Sequence, residues 1–360
     1  MMMDHYSIAL IPGDGIGVDV VREGTKVLNT VSELHGGISF DYKEFDLSCE
    51  YYAKHGRMMP EDGLEQLKDF DSIFLGAVGY PGVPDHVSLW GLLLPIRRQF
   101  EQYINLRPVK LLQGIQSPLA GKTSKDLDFI VIRENNEGEY SNIGGRIYEG
   151  TDADMAIQNS VFTRKGVERV LRYAFDLAQK QGKRKHVTAA TKSNGINHTM
   201  PFWDEYVKKI NQEYPDVTSN IVHIDALAAF FVSKPETMDI VVASNLFGDI
   251  LTDLGAAIVG GLGIAPSANI NPEKKYPSMF EPVHGSAPDI AGKGIANPLA
   301  SIWCTSMMLD HLGHPESAKA IILAMEEVIQ EKFVTPDLGG HATTEQVGNR
   351  ICEKLKTRLK

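Results

Sequence analysis

The chain has 360 residues, a length typical of two domains rather than of one hydrophobic core. Lysine and arginine total 36 against 46 acidic residues, and the net charge of −10 argues against nonspecific nucleic-acid binding. No apolar stretch is long enough to cross a membrane, and residues 1–6 lack a signal-peptide core. Because the cysteines, Cys49, Cys304 and Cys352, are few, odd in number and far apart, they indicate neither a disulfide framework nor a zinc site, and we expect a protein of the reducing cytoplasm.

The first predicted elements are a short strand, a glycine-rich turn and a helix. Residues 7–11 are mostly apolar, Pro-Gly-Asp-Gly-Ile-Gly occupies residues 12–17, and Val20, Val27 and Val31 follow near helical spacing. The order is similar to a dinucleotide-binding fingerprint, but the glycines are not spaced as Gly-x-Gly-x-x-Gly. We therefore interpret the turn as a loop that needs close backbone approach, not as a Rossmann site.

Strands and helices alternate along the rest of the chain, which favours α/β architecture. Strands are predicted at residues 38–44, 72–75, 129–132, 186–191, 221–224 and 240–243. Helices are predicted at residues 163–181, 200–214, 297–312, 316–329 and 344–359, and after Asn245. Residues 134–148 are predicted to form a loop or small hairpin, and residues 280–290 a loop.

Several arginines lie in apolar surroundings. Arg97 and Arg107 belong to a mostly apolar segment, and Arg133 ends a predicted buried strand. An arginine in that position needs an acidic partner or a ligand, and several guanidinium groups form a natural clamp for a dicarboxylate. Structural salt bridges, for example with Glu134 or Glu137, explain the pattern equally well.

The stretch Ser-Asn-Leu-Phe-Gly-Asp-Ile-Leu-Thr-Asp, residues 244–253, follows a predicted buried strand. Asp249 and Asp253 are four residues apart in a predicted helix, so their carboxylates share one face. Like charges at that spacing repel, which suggests a cation between them, and oxygen ligands favour Mg²⁺ or Mn²⁺ over zinc. A solvated helix face with two unrelated acids is the alternative.

Two further residues have chemistry that the sequence leaves open. Lys192 directly follows the predicted strand at residues 186–191. A lysine at the carboxyl end of a strand is either a salt-bridge partner or a proton-transfer group. Tyr140 lies in a polar, glycine-rich loop, where a tyrosine is usually an amphipathic surface residue.

Six segments taken together are more informative than any one of them. They are Leu-Ile-Pro-Gly-Asp-Gly-Ile-Gly (10–17), Asn-Leu-Arg-Pro (105–108), Arg-Glu-Asn with Glu-Gly-Glu-Tyr (133–135 and 137–140), Ala-Thr-Lys-Ser-Asn-Gly (190–195), the stretch 244–253, and Glu-Pro-Val-His-Gly-Ser-Ala-Pro-Asp-Ile (281–290). In this order, over almost the whole chain, they resemble the metal-dependent β-decarboxylating dehydrogenases, the isocitrate and isopropylmalate dehydrogenase family.

The resemblance implies the two-domain α/β fold of that family, which is not a Rossmann fold. Residues 1–102 and 260–360 would form a cofactor-binding large domain, and residues 103–259 the domain for metal, substrate and dimerisation. The family is homodimeric, and each site takes residues from the partner subunit. By position these are Lys192 and Asp225, which would join Asp249 and Asp253 to give three carboxylates around the cation.

The resemblance also implies the reaction, the oxidation and β-decarboxylation of a 2-hydroxy diacid with Mn²⁺ or Mg²⁺. Lys192 would help to remove the hydroxyl proton, and Tyr140 would protonate C3 of the enol. The clamp for the substrate carboxylates would be Arg97, Arg107 and Arg133. Potassium is common in the family, and the sequence does not decide whether it is required.

The expected cofactor is NAD. Asp289 lies where the family contacts the adenosine ribose, and a carboxylate accepts hydrogen bonds from a free 2′-hydroxyl but repels a 2′-phosphate. NADP-dependent relatives carry a basic residue and a tyrosine in place of Asp289 and Ile290. The other residues expected at the adenosine site are His284, Gly285, Ser286, Ala287 and Asn297.

The substituent on C3 of the substrate should be read by residues just before the arginine clamp. Isocitrate enzymes carry a serine and an asparagine at the positions of Gly91 and Leu93, and isopropylmalate enzymes carry a glutamate at that of Trp90. The indole of Trp90 would shrink the pocket, which favours D-malate or tartrate. Isopropylmalate oxidation and a metal-dependent phosphohydrolase are the alternatives, and neither nucleic acid nor membrane is an expected partner.

Overall fold

A ten-stranded mixed sheet runs through the molecule in this computed structural model, which describes residues 3–359. Its order is β2-β1-β3-β12-β11-β4-β5-β10-β8-β9, and β6 pairs with β7 in a separate hairpin. The strands are β1 (Asp4–Gly13), β2 (Ile38–Glu44), β3 (Ser72–Ala77), β4 (Ile104–Lys110), β5 (Asp128–Glu134), β6 (Gly144–Ile147), β7 (Met155–Gln158), β8 (His186–Thr191), β9 (Thr218–His223), β10 (Ile240–Ala243), β11 (Pro266–Ile270) and β12 (Ser278–Pro282).

Helices pack on the sheet. They are α1 (Gly17–His35), α2 (Cys49–His55), α3 (Gly63–Leu67), α4 (Asp85–Ser88), α5 (Leu94–Gln99), α6 (Arg164–Gln181), α7 (Thr199–Asn211), α8 (Ile224–Ser233), α9 (Asn245–Ile258), α10 (Leu299–Leu312), α11 (Pro315–Gln330) and α12 (Thr344–Arg358). A π-helical turn, Leu89–Leu93, joins α4 to α5. Across residues 3–359, no helix combines the length and the apolar character that a bilayer crossing needs.

The sheet consists of two parallel parts that run in opposite directions. Strands β2, β1, β3 and β12 are parallel to one another, as are β5, β10, β8 and β9. Between them, β11 pairs antiparallel with both β12 and β4, and β4 pairs antiparallel with β5. Strands from both ends of the chain therefore form one part of the sheet, and strands from the middle form the other.

Apolar periodicity explains most of these elements. The strands β3 and β10 are buried along their whole length, as expected for parallel strands covered on both faces. On α6, Val167, Val170, Leu171 and Ala174 are buried, and Thr163 caps the helix by accepting from the Gly166 N–H.

The α/β prediction is confirmed, with local differences. Strands β4 and β11 were not predicted, because β11 is rich in polar residues and β4 contains an arginine and a proline. Residues 280–282 end strand β12 and are not part of a loop. Strand β9 ends at His223, so Asp225 lies in the first turn of α8.

Candidate active site

A cavity of about 240 Å³ lies over the central strands of the sheet. Six of the sequence-predicted site residues that line it are polar: Arg97, Arg107, Arg133, Tyr140, Asp249 and His284. A larger cavity, about 740 Å³, lies between α1 and the end of β2, and none of the predicted site residues lines it. The convergence of charged and hydrogen-bonding groups, rather than size, therefore identifies the smaller cavity as the candidate active site.

Arg133, near the end of β5, is tied to the helix that follows β10. Its Nε and Nη2 donate to Asn245 Oδ1 at 3.1 and 2.8 Å, and its Nη1 donates to the Asp249 carboxylate. Only 4% of the residue is exposed, and burial lowers its pKa. The acidic partner that a buried arginine requires is thus Asp249, not Glu134 or Glu137.

Arg107, on β4, lies beside both acids of the helical pair. Its Nη1 donates to Thr252 Oγ1 at 2.7 Å and lies 3.6 Å from Asp253 Oδ1, and its Nη2 lies 3.7 Å from Asp249 Oδ1. Burial, and then the charge of Arg133, lower the Arg107 pKa to about 10, so the group stays positive at neutral pH. This charge offsets the repulsion that two acids four residues apart create in α9.

The two acids of α9 have different electrostatic environments. Burial alone would raise the pKa of Asp249, but Arg133 and Arg107 hold it below its ordinary value. For Asp253 burial dominates and raises the pKa, with Arg107 opposing it. Two carboxylates on successive helical turns suit a hard divalent cation such as Mg²⁺, which proteins commonly hold through one or two carboxylates and water. Over residues 3–359, no cluster of three or more acidic, histidine or cysteine side chains is arranged to hold a metal.

Tyr140 connects the loop after β5 to the same acid. Its hydroxyl donates to Asp249 Oδ2 at 2.9 Å, and its ring centroid lies 5.4 Å from the Arg133 guanidinium carbon. Burial, and then the negative charge of Asp249, raise the Tyr140 pKa. The phenol therefore keeps its proton at neutral pH, as a general acid must.

Arg97, on α5, completes the arginine cluster. Its Nη2 donates to Glu281 Oε1 at 2.7 Å, and the same oxygen accepts from Asn269 Nδ2 at 2.8 Å. The Nε of Arg97 is buried and makes no hydrogen bond within residues 3–359. This nitrogen is enclosed by the fold, so Arg97 acts on a ligand in the cavity through its charge.

Lys192 and Asp225 lie outside this cavity. Lys192 Nζ donates to Asp225 Oδ1 at 2.8 Å, and this bond chiefly lowers the pKa of Asp225. The Asp225 side chain is 67% exposed. A single chain thus brings Asp249 and Asp253 together with the arginines and Tyr140, and holds Lys192 with Asp225 at a separate place.

The segment expected to read the C3 substituent is the π-helical turn. Leu89 and Leu93 line the cavity, whereas Trp90 does not. The indole of Trp90 instead lies 5.1 Å from the Arg98 guanidinium carbon. Because a π-helical turn places residues four to five apart on one side, two leucines give the cavity an apolar wall.

The loop after β12 carries the expected adenosine site. His284 and Gly285 line the cavity, the His284 Nε2 is buried without a hydrogen-bond partner in the described part of the chain, and burial lowers the His284 pKa. Asp289 is exposed. Asn297 instead serves the fold, donating to Asp337 Oδ2 at 2.8 Å and accepting from the Leu299 N–H. The loop thus carries both an unpartnered neutral imidazole and an exposed carboxylate, which are groups that a nucleotide ligand can use.

The glycine-rich turn, residues 12–17, contacts the loop after β12. Gly15 has a φ of +58°, and a Cβ there would lie 2.1 Å from Ser286 O, the atom that accepts the Ile16 N–H at 2.8 Å. The Asp14 carboxylate, which the sequence did not single out, accepts from the N–H groups of Cys49, Glu50 and Gly79 at 2.9, 3.1 and 3.0 Å. The turn makes the close backbone contacts that its glycines predicted.

Sequence reasoning also missed the polar partners of the arginines. Asn245 and Thr252 flank the acids of α9, and their spacing places them near the same helix face. Glu281 is the first residue of the Glu-Pro-Val-His segment, and only the pairing of β12 with β11 shows that it meets Arg97.

Known proteins are similar to this sequence over almost its full length. The family model described as isocitrate/isopropylmalate dehydrogenase matches residues 7–351. A probable tartrate dehydrogenase/decarboxylase of Bacillus subtilis (strain 168) is 58% identical over 357 residues, covering 99% of each chain. A D-malate dehydrogenase [decarboxylating] of Escherichia coli (strain K12) is 57% identical over 359 residues, covering 98% of this chain and 99% of the relative.

Solved structures agree in fold. An isocitrate dehydrogenase from Methylococcus capsulatus superposes with a TM-score of 0.86 at 36% identity, covering 98% of this chain and 99% of the other. A β-decarboxylating dehydrogenase from Thermococcus kodakarensis gives a TM-score of 0.78 at 33% identity, with coverages of 98% and 96%.

Proposed function

Because this chain belongs to the isocitrate/isopropylmalate dehydrogenase family and is a decarboxylating dehydrogenase, we propose that it converts D-malate to pyruvate and CO₂, or oxidises tartrate, with NAD as hydride acceptor. The observation that carries the proposal is the placement of Asp249. Its carboxylate meets Arg133 and the Tyr140 hydroxyl, and it lies one helical turn from Asp253.

The arginines select a dicarboxylate. Arg107 and Arg133 are buried and positively charged, and Arg97 lines the same cavity. A substrate with two carboxylates satisfies these groups, because bidentate guanidinium–carboxylate pairs give both energy and orientation. A phosphate ester would also pair with arginines, but its hydrolysis does not require a protonated tyrosine beside an acid pair.

The metal ligands we propose are Asp249 and Asp253 of one subunit and Asp225 of the other, all with oxygen donors suited to Mn²⁺ or Mg²⁺. The bound cation supplies Lewis acidity that lowers the pKa of the C2 hydroxyl and stabilises negative charge after CO₂ leaves. Lys192 Nζ lies 2.8 Å from Asp225 Oδ1; with that carboxylate serving as a metal ligand instead, the neutral amine of Lys192 would accept the hydroxyl proton, directly or through water. Tyr140, protonated by virtue of its raised pKa, delivers a proton to C3.

A homodimer is the proposed working unit. Val232 on α8 and Ile250 on α9 are 45% and 52% exposed, and Leu246 beside them is 36% exposed. The β6–β7 hairpin also exposes apolar side chains, namely Ile143, Ile147, Tyr148, Met155 and Ile157. Two-stranded hairpins are marginal alone, so a second copy that covers both surfaces would stabilise them and bring its Lys192 and Asp225 to the cavity.

We propose that NAD binds to the loop after β12. The neutral His284 imidazole has a free nitrogen for the adenosine, and Asp289 discriminates against a 2′-phosphate. Residues 1–102 with 260–360 would then form the cofactor domain, and residues 103–259 the metal and substrate domain, with the cavity between them. The three cysteines are free and buried, which suits a reducing cytoplasm.

The leucine wall bears on substrate choice. Leu89 and Leu93 offer no polar partner for a third carboxylate, so a small C3 substituent is favoured over that of isocitrate. In an apolar pocket, one methylene more or less changes the binding free energy by only about 1–3 kcal/mol. We therefore expect some turnover of isopropylmalate.

Steady-state kinetics test the proposal. D-malate, the tartrate isomers and isopropylmalate are compared with NAD and NADP, with Mn²⁺ or after chelation, and with and without potassium. We expect NADH formation with D-malate or tartrate that requires the divalent ion. Preferential turnover of isopropylmalate would reassign the substrate, and release of phosphate from phosphate esters without NADH formation would replace the reaction class.

A further inference from the structure

The loop that carries Tyr140, residues 134–140, contains three glutamates besides its tyrosine, and each glutamate has a different partner. Glu134 accepts from the backbone of its own loop, at Asn136 N and Glu137 N. Glu137 accepts from Thr163 at the start of α6. Glu139 reaches α9: its Oε1 accepts from Ser244 Oγ at 2.7 Å, and its Oε2 accepts from Leu246 N at 3.1 Å.

Glu139 performs the capping that Ser244 would ordinarily perform. Ser244 occupies the N-cap position of α9, but its hydroxyl makes no capping bond to the helix. The hydroxyl points to Glu139 instead, and the carboxylate of Glu139 satisfies the free N–H of Leu246. A negative charge at a helix N-terminus is also favourable electrostatically. A residue outside the helix therefore caps the helix that carries Asp249 and Asp253.

Tyr140, the residue after Glu139, fixes the position of the loop along α9. Tyr140 donates to Asp249 Oδ2 at 2.9 Å, one helical turn beyond the N–H that Glu139 holds. Asn245 Nδ2 adds a bond to Glu137 O at 3.2 Å, so the loop runs alongside the first two turns of α9. On its other side, Arg98 Nη2 donates to Tyr140 O at 2.7 Å. The tyrosine is thus held between α5 and α9.

We propose that Glu139 is a positioning residue, which sets the distance between the proton donor Tyr140 and the acids of α9 by capping that helix from the tyrosine loop. The role of Tyr140 as the acid rests on the proposed function, whereas the cap itself does not. Loss of the carboxylate frees both the first turn of α9 and the loop, and the phenol then samples positions from which it cannot deliver its proton.

The experiment compares Glu139→Ala, Glu139→Gln and Glu137→Ala in the full-length enzyme by amide hydrogen exchange and steady-state kinetics. In Glu139→Ala we expect exchange about tenfold faster at residues 246–249 and in the loop, with other regions unchanged. We expect kcat with D-malate or tartrate to fall about tenfold while the KM for NAD stays constant. Gln keeps an acceptor for Leu246 N and a donor for Ser244, so Glu139→Gln should restore most of both.

Glu137→Ala is the matched control, because it removes from the same loop a carboxylate that instead holds Thr163, the cap of α6. It should speed exchange at the start of α6 and leave residues 246–249 protected. Unchanged exchange at residues 246–249 in Glu139→Ala would overturn the cap, and faster exchange with unchanged kcat would overturn the positioning role. If the wild type oxidises none of the diacids, the proposed function fails, while the exchange data still decide whether Glu139 caps α9.

Discussion

At the scale of single residues, Asp249 is the group on which the site converges. It accepts hydrogen bonds from Arg133 and from Tyr140, and it lies 3.7 Å from a nitrogen of Arg107. The sequence predicted the acid pair and the arginines, since both follow from position beside apolar strands. It could not predict that Arg133 pairs with Asp249, because that pair joins residues 116 apart through the pairing of β5 with β10.

Asp249→Asn is therefore the most informative single substitution. Asparagine keeps one acceptor oxygen for Arg133, so the chain should remain folded. Loss of a charged metal ligand removes several kcal/mol of charge stabilisation, and we expect NADH formation to fall by about a thousandfold or more. Manganese binding, followed by electron spin resonance, should weaken in parallel. Asp216→Asn, at an exposed acid, is the control, and full activity of Asp249→Asn after removal of metal would disprove chelation.

Glu134 gives the protein a pH-dependent stability. Its carboxyl is buried, and burial raises its pKa from 4.5 to about 7 despite the N–H groups of Asn136 and Glu137. The folded state keeps this proton to higher pH than the unfolded chain does. The stability that the group contributes is therefore full below about pH 4.5 and is lost as the pH rises through about 7.

Glu134→Gln should remove this dependence. Relative to the wild type, the variant should gain about 2 kcal/mol in the free energy of unfolding between about pH 5 and about pH 8. Urea unfolding of both proteins at the two pH values measures the difference. Parallel stability curves for the two proteins would show that Glu134 does not titrate in this range.

At the scale of elements, helix α9 was predictable and the centre of the sheet was not. The helix follows a uniformly apolar strand and places its acids four residues apart, which are local signals. Strands β4 and β11 carry Asn105 and Asn269, and Asn105 Nδ2 donates to Asn269 Oδ1 and to Ser267 Oγ, at 3.0 and 2.8 Å. Local pattern cannot reveal such pairing, because the partners lie more than a hundred residues apart along the chain.

The glycine-rich turn offers a test at this scale, with Gly15→Ala set against Gly36→Ala. Both glycines have positive φ values, +58° and +64°, so both substitutions strain the backbone by about 1 kcal/mol or more. Only at Gly15 would the new Cβ meet another backbone atom, Ser286 O at 2.1 Å, whereas nothing lies within 4 Å at Gly36.

We therefore expect Gly15→Ala alone to displace the loop after β12 and to raise the KM for NAD about tenfold or more. Thermal unfolding of the two variants measures the shared strain, and NAD titration measures the loop. Equal KM values for NAD in the two variants would show that the turn does not support the loop after β12.

At the scale of the whole molecule, a single chain keeps two groups of predicted site residues apart. Asp249 and Tyr140 line the cavity, and Asp253 lies 3.6 Å from Arg107, whereas Lys192 pairs with the exposed Asp225 elsewhere. The family resemblance predicted this division from position alone, and the geometry of one chain is compatible with it. A two-fold dimer that brings each pair to the other subunit's cavity would complete two identical sites.

Mixed dimers test this arrangement directly. Asp225→Asn and Asp249→Asn should each be inactive as homodimers, because every site lacks one ligand. In a heterodimer of the two, purified through different affinity tags, one site combines the intact Asp225 of one subunit with the intact Asp249 of the other. That site should return about half of the wild-type activity per dimer. A heterodimer of Asp249→Asn with Tyr140→Phe should not recover, because both residues serve the same cavity. Failure of the first pair to recover would show that Asp225 of one chain does not complete the site of the other.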